Sequence, residues 1–420
     1  LSGKPSENRV VRALPRCALW LALALSSYWA LRLAWADHLS YGAELAGRER
    51  AVQLAPAAAA FAERLAQGRE ELGGDCLPDS RRAAALDPEN PEPLMRLGVR
   101  AELAGDYPLA ETSLLAAAAR SRLYQPKYLL AQYYFRRQNA DRFWPWARAA
   151  LEAAYGDAAP IFELGWRLRP DATWLSANLI PPRREMARQY LAYLCNRERW
   201  AAAAAEARKM VAAAEPLAGR RPRGYPASGA GQAWVSGESA DRPELLAYCE
   251  ARLSRGDGRE AAEIWNAMCR RRLLAHDPLD PAGDRLVTNG DFLQAPSGRG
   301  FDWRLVEQTG VSAVAVGGAL RVSFTGRQPE RCPIAWQYVA TAPGTRYRLR
   351  YEVRERGDAP ARGIAWVVSD AEPGAESAGS LEFLAAKDLA RIYLIYQRPP
   401  GSARLEDTVS IAHVRLERAQ

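Results

Sequence analysis

Lysine and histidine are nearly missing from this chain: 420 residues hold four lysines and three histidines, His38, His276 and His413. No histidine neighbours a cysteine, so the spacing that zinc sites require is absent. The six cysteines stand at 17, 76, 195, 249, 269 and 332, with no C-x-x-C pair, and read as small buried apolar residues. Cys249 and Cys269 lie on two helices of one expected hairpin. They miss each other by about one helical turn, which disfavours a disulfide. There is no G-x-S-x-G, Walker loop or H-E-x-x-H. Gly229-Ala230-Gly231 lacks a third glycine, a preceding strand and a following helix, so it is not a dinucleotide loop. We therefore expect no enzyme, no cofactor and no metal.

A basic surface is missing as well, despite a net charge of +8. Residues 1–36 carry five Lys/Arg against one acid, residues 37–283 carry 34 against 32, and residues 284–420 carry 18 against 16. Half the excess sits in the first 36 residues, and neither later region tracks phosphates, so nucleic acid is not an expected partner.

What the chain does have begins with an apolar run. Lys4, Arg9, Arg12 and Arg16 precede Cys17–Leu31, which continues through Leu33-Ala34-Trp35 past Arg32. If Arg32 snorkels, the run is about 20 residues and spans a bilayer as a helix. Residues 1–16 are then a basic cytoplasmic N-terminus and 17–36 a single-pass signal anchor in the inner membrane. The bulk of the chain is periplasmic or extracytoplasmic, because the charge lies before the run. Ala34-Trp35-Ala36 also fits a cleavage site, and a buried helix of the following array is the third reading.

Residues 37–274 carry a helical period. Leu97-Gly98, Leu130-Ala131 and Leu164-Gly165 recur 33 and then 34 residues apart. Ala110, Leu114 and Ala117 are answered by Phe143, Ala147 and Ala150, a small-large-small pattern that lets two antiparallel helices approach. With the Gly105-Asp106-Tyr107 turn in register, residues 90–168 resemble tetratricopeptide repeats strongly, and residues 40–272 more weakly. Residues 39–56 read as the second helix of an incomplete first repeat, and 57–72 as the next helix, with Phe61, Leu65 and Leu72 apolar. Ala85-Leu86-Asp87-Pro88 closes a repeat. Register is lost through Ile180-Pro181-Pro182, leaving one repeat without a proper second helix. Residues 216–242, rich in Gly, Pro, Ser and Arg, read as a flexible insertion. In the last hairpin Gly256-Asp257 repeats the turn, and Cys249 takes the place of Gly98. The resemblance implies an α-solenoid whose surface holds a protein partner. Tyr128, Tyr133, Tyr134, Trp144 and Trp146 crowd one repeat, as partner anchors or as core between repeats.

After a linker at 275–284, residues 285–420 change to period two. Leu320, Val322 and Phe324 alternate with polar residues, as do Tyr347, Leu349, Tyr351 and Val353; Ile364, Trp366 and Val368; and Ile392, Leu394 and Tyr396. Eight to ten short strands make an antiparallel sandwich. The fold class is thus multidomain, α then β. Leu286-Val287-Thr288-Asn289-Gly290-Asp291-Phe292, Phe301-Asp302-Trp303 and the last strand Val409–Leu416 resemble carbohydrate-binding-module-like (galactose-binding-like) jelly rolls. Members often hold a structural calcium with an acid after this opening and an Asp pair in the last strand. Here Leu293 and Ala412-His413 stand instead, so calcium is not expected.

That resemblance implies a glycan ligand, with Trp336, Tyr338, Trp366 and Tyr393 as candidate platforms. Trp336 and Tyr338 share the parity of Ile334, which also fits a core position. Arg346, Arg348 and Arg350 lie opposite the apolar residues of their strand, to meet an acidic glycan or to keep an edge or outer face soluble. Together the resemblances imply a non-enzymatic, membrane-anchored, exported bacterial scaffold in cell-surface polysaccharide assembly or export. The alternatives are a protein-binding module without glycan, and a diverged glycan-hydrolase accessory protein.

Overall fold

The computed structural model describes residues 7–215, 242–280, 285–355, 363–377 and 379–419, with side chains from Ala18 onward except those of residues 355, 373 and 375–377. The insertion expected at 216–242 lies outside the described residues except for Arg242. Among the described residues, fourteen helices precede ten strands: an α-solenoid of tetratricopeptide-like hairpins, then an antiparallel two-sheet sandwich. The chain divides into two compact units, Leu1–Pro181 and Pro182–Gln420.

In the first unit, α1 (Glu7–Ser40) runs on past the apolar segment and pairs with α2 (Leu45–Leu54). The helix expected over 39–56 is therefore shorter, because Tyr41–Glu44 turn the chain between α1 and α2. Ala36 and Leu39 of α1 pack with Ala51, Val52 and Ala55 and with Phe61 and Leu65 of α3 (Ala59–Glu71). Arg32 Nε donates to the Leu54 carbonyl at 2.8 Å, so it satisfies one of the open carbonyls at the end of α2. Leu72, expected on an apolar face, is 71% exposed because α3 ends one residue earlier.

The next helices are α4 (Leu77–Leu86), α5 (Pro91–Leu103), α6 (Tyr107–Arg120), α7 (Tyr124–Arg136), α8 (Ala140–Ala153) and α9 (Ala159–Leu168). Residue size explains their pairing. A Cβ built on Gly98 would lie 2.6 Å from Leu114 Cγ, so α5 and α6 touch where glycine leaves room. Ala110, Leu114 and Ala117, and likewise Phe143, Ala147 and Ala150, are fully buried or nearly so. Asp106 and Asn139 start α6 and α8 by accepting from Leu109 N at 3.2 Å and Arg142 N at 3.1 Å. The repeat with the broken register does have a second helix, α10 (Ala172–Asn178), but of only seven residues.

The second unit opens with α11 (Arg184–Asn196), α12 (Trp200–Ala213), α13 (Arg242–Ser254) and α14 (Gly258–Arg270). Cys249 is fully buried, its Sγ 3.7 Å from the Ala261 carbonyl. Gly98 meets the Ala110 carbonyl in the same way. Burial raises the Cys249 thiol far above its ordinary value, as a packing residue requires.

Two sheets follow. One orders β1 (Arg304–Leu305), β4 (Arg331–Ala340), β9 (Leu389–Gln397) and β6 (Ile364–Ser369). The other orders β2 (Val311–Val316), β3 (Ala319–Phe324), β10 (Thr408–Arg418), β5 (Arg346–Glu355), β8 (Ser380–Ala385) and β7 (Ala371–Ser377). Leu320, Val322, Phe324, Tyr347, Leu349, Ile392, Leu394 and Tyr396 meet in the core between them. The Asn-Gly-Asp-Phe opening is also explained. Asn289 closes its loop on Gln294, Gly290 leaves room for the Val414 carbonyl, and Phe292 packs on Trp303 at 5.3 Å.

The hairpin α13–α14 sits on the sandwich. Trp265 of α14, 1% exposed, stacks on His276 at 5.9 Å and meets Phe301 edge-on at 5.9 Å. Asn266 ties the segment after α14 back to that helix through both Leu279 backbone groups, at 2.8 and 2.6 Å. His276 Nε2 lies 3.6 Å from Oδ2 of the fully buried Asp302, which also accepts from the Ser297 and Trp303 N–H groups. Burial alone would raise the Asp302 carboxyl. The hydrogen bond and charge of His276, with Ser297, outweigh it and hold the group below its ordinary 3.8.

Two outcomes are expected. Gly98→Ala should destabilise the array by about 1–3 kcal/mol by overpacking, seen as a lower urea midpoint of the helical circular-dichroism signal, while Leu72→Ser stays within about 0.5 kcal/mol. Because the folded Asp302 carboxyl is depressed, its contribution is complete above 3.8 and is lost as pH falls below that value. Tryptophan-monitored unfolding should show this acid loss in the natural chain and much less of it in Asp302→Asn.

Candidate functional site

The first unit presents a groove of about 520 Å³ between α5, the turn after it, and α7. Val99 and Leu103 of α5 and Leu129 of α7 supply its apolar lining. Leu103 is 74% exposed, which no helix-packing role accounts for. Tyr107 forms one rim with the Arg137 guanidinium 3.8 Å from its ring centroid. Arg137 makes no ion pair among the described residues. Arg136 instead clasps Glu102 with two bonds, 2.7 and 2.6 Å, tying α7 to α5. One repeat earlier, Arg96 and Arg100 of α5 reach Glu63 and Glu70 of α3 in the same manner. Helices of successive repeats are thus joined by charge pairs, and the Glu102–Arg136 pair forms part of the groove wall.

The aromatic candidates of the array lie mostly elsewhere. Tyr133 and Tyr134 are 3% exposed, corrected here to packing residues. Their hydroxyls donate to the Tyr107 carbonyl at 3.1 Å and to Glu111 at 2.8 Å, and burial raises both phenols above the ordinary range. Trp144 meets Trp174 of α10 at 4.6 Å and Phe143 at 4.8 Å, so it fills space between repeats. Tyr128 is half-buried and stacks on Tyr124 at 5.1 Å; Trp146 is half-buried on α8. The groove residues Val99, Leu103 and Leu129 were missed by the sequence reading. Leu103 was detectable as a leucine outside the buried stripe.

On the sandwich, a bulge between Pro333 and Ala335 reverses the parity of β4. Trp336 and Tyr338 therefore do not share the inward side of Ile334. Trp336 forms a cross-strand row with Arg304, Tyr393 and Val367. Its ring stacks on Tyr393 at 5.9 Å, and the Arg304 guanidinium lies 4.5 Å away, itself paired with Glu250 of α13 at 2.6 Å. Tyr338 is 9% exposed beneath the same guanidinium, at 5.0 Å. Trp336 and Tyr393 remain half-buried.

Trp366 is a correction: it is 4% exposed in the sandwich core, against Trp303 at 6.0 Å and Tyr351 at 5.5 Å. The arginine ladder is another. Strand β5 lies between β10 and β8, not at an edge, and each arginine has an acid on a neighbouring strand. Arg346 and Arg348 reach Glu382 at 4.0 and 2.6 Å, and Arg350 reaches Glu417 at 2.6 Å. The three guanidinium groups of the row share two carboxylates within the sheet.

No family model matches the chain, and no curated protein does. Solved structures do. A tetratricopeptide repeat protein from Parabacteroides merdae is 13% identical over 56% of this chain and 90% of its own, with a TM-score of 0.30. YrrB, described as a TPR protein with an unusual peptide-binding site, is 12% identical over 55% and 94%, with a TM-score of 0.26. PilF of Pseudomonas aeruginosa is 15% identical over 58% and 90%, with a TM-score of 0.24.

The two sandwich tryptophans should separate in a stability test. Trp366→Ala is expected to cost about 3–5 kcal/mol, since it empties a core position. Trp336→Ala should cost distinctly less, and urea unfolding followed by the remaining tryptophans measures both.

Proposed function

We propose that this chain is a non-enzymatic scaffold, anchored in a membrane by α1, whose helical array holds a protein partner and whose sandwich touches glycan. The observation that carries the reading is the groove on α5 and α7. The exposed Leu103 and the half-buried Val99 and Leu129 lie there beside a guanidinium with no ion pair among the described residues. An extended peptide with an apolar residue next to an acidic one matches it, since Leu103 and Leu129 take the first and Arg137 the second.

The anchor is supported by Ala18–Ser40, a stretch of 23 residues holding an 18-residue window of mean hydropathy 1.2 with none of that window buried. Leu19, Trp20, Leu21 and Leu31 are each at least 60% exposed. With basic residues before the segment, the array faces the extracytoplasmic side. A role in cell-surface polysaccharide assembly or export follows from pairing this placement with the resemblance of residues 285–420 to carbohydrate-binding jelly rolls. The second reading is a protein-binding module without glycan. It is favoured by the burial of Trp366 and the internal pairing of Arg346, Arg348 and Arg350.

A photo-crosslinking residue at Leu103 or Leu129, in cells making the full chain, should yield one discrete protein adduct. Leu103→Glu should weaken that partner by about 2 kcal/mol, roughly thirtyfold. Absence of adducts at both positions would remove the groove from the account. Protease added outside the inner membrane should digest the array; an array protected from it refutes export.

A further inference from the structure

The turn between α2 and α3 differs in composition from the other turns of the first unit. Leu54 to Phe61 read Leu-Ala-Pro-Ala-Ala-Ala-Ala-Phe, without one polar side chain, and Pro56, Ala57 and Ala60 are exposed. Turns that face water ordinarily carry polar residues. Asp75 before α4, Asp87 and Glu89 before α5, Arg122 before α7 and Asp157 before α9 follow that rule.

The carbonyls of this turn are already taken. Leu54 accepts from Arg32 at 2.8 Å and Pro56 from Arg82 at 2.9 Å. Ala55 and Ala58 accept from the N–H groups of Ala58 and Phe61, at 3.1 and 3.2 Å. Position 56, being proline, has no N–H to satisfy. Water would serve any of these groups in a surface loop, whereas an apolar layer requires them to be paired within the protein.

The hairpin sets the level at which the turn sits. A Cβ built on Gly47 would lie 3.1 Å from the Leu39 carbonyl oxygen, and at the other end of α2 Leu54 meets Arg32. Helix α2 therefore runs antiparallel to α1, back toward the apolar segment, and the turn is level with Arg32. Cys17–Leu31 is about 22 Å long as a helix, short of the roughly 30 Å of a hydrocarbon core. The span is complete only when it continues to Trp35, about 5 Å beyond Arg32 along the axis. The open side of α1 agrees, since Leu33 and Trp35 are 44% and 58% exposed. Lipid against Leu33 and Trp35 thus reaches the depth at which the α2–α3 turn lies. Arg32 is provided for at that depth by the Leu54 carbonyl and by the Trp29 ring, 5.0 Å from its guanidinium.

We infer that the α2–α3 turn is a second membrane contact, with Pro56, Ala57 and Ala60 seated in the interfacial layer of the phospholipid bilayer that α1 crosses. The inference rests on the anchor reading above and adds to it. A span alone leaves the array free to lean, and a second contact beside it fixes the first hairpin against the surface.

The test uses the full chain reconstituted in vesicles of phosphatidylglycerol and a phosphatidylcholine brominated near the top of its acyl chains. A genetically encoded coumarin amino acid takes the place of Leu21, Ala57 or Leu72, all exposed, one per preparation. Helix α3 has 13 residues, which puts Leu72 about 20 Å from the turn. Leu21 and Ala57 should both be quenched, Ala57 at least about threefold more than Leu72. Ala60→Glu, a charge added at an exposed site, should at least roughly halve the Ala57 quenching and leave Leu21 quenching and the helical circular-dichroism signal unchanged. An unquenched Leu21 removes the anchor and this inference together. A quenched Leu21 with Ala57 quenched no more than Leu72 places the turn in water, which overturns the inference and leaves the anchor standing. Ala57 quenching indifferent to Ala60→Glu overturns the seating of the turn in the same way.

Discussion

The molecule depends on how closely paired helices approach. At Gly98 the α5 backbone comes against the Leu114 side chain, where even a methyl group has no room. Cys249 against the Ala261 carbonyl is the counterpart in the second unit. Such contacts bury alanine faces that would otherwise gain little from leaving water, since small side chains contribute mainly when packing is dense. The charge pairs from α3 to α5 and from α5 to α7 then fix how one hairpin follows the next, and the groove at Leu103 is a consequence of that spacing.

Much of this was legible because a repeat is a one-dimensional signal. Leucine followed by a small residue, recurring 33 and 34 residues apart, reports helix crossings directly, and the Gly105-Asp106-Tyr107 turn marks the start of α6. The Arg346/Arg348/Arg350 row was legible as a face, but its partners were not. Glu382 and Glu417 come from strands whose order in the sheet no local pattern states. Trp336 was placed by parity, and a single inserted residue at Pro333–Ala335 reverses parity without leaving a trace in the alternation of β4.

The seat of α13–α14 shows the same limit on a larger scale. Residues 275–284 read as a linker from their composition, yet Asn266 and the His276–Asp302 pair hold the described part of them against α14 and the sandwich. Trp265, stacked on His276 and edge-on to Phe301, makes the last hairpin and the strands share one interior.

One feature of the first unit reaches further than its hydrogen bond suggests. Helix α1 enters the first hairpin without a break, and Arg32 fastens it to the Leu54 carbonyl. No pivot separates the apolar segment from α2 and α3. Tilt or rotation of that segment therefore turns the first repeat like a key on its shaft, and whatever grips the apolar end also sets the heading of the first repeat.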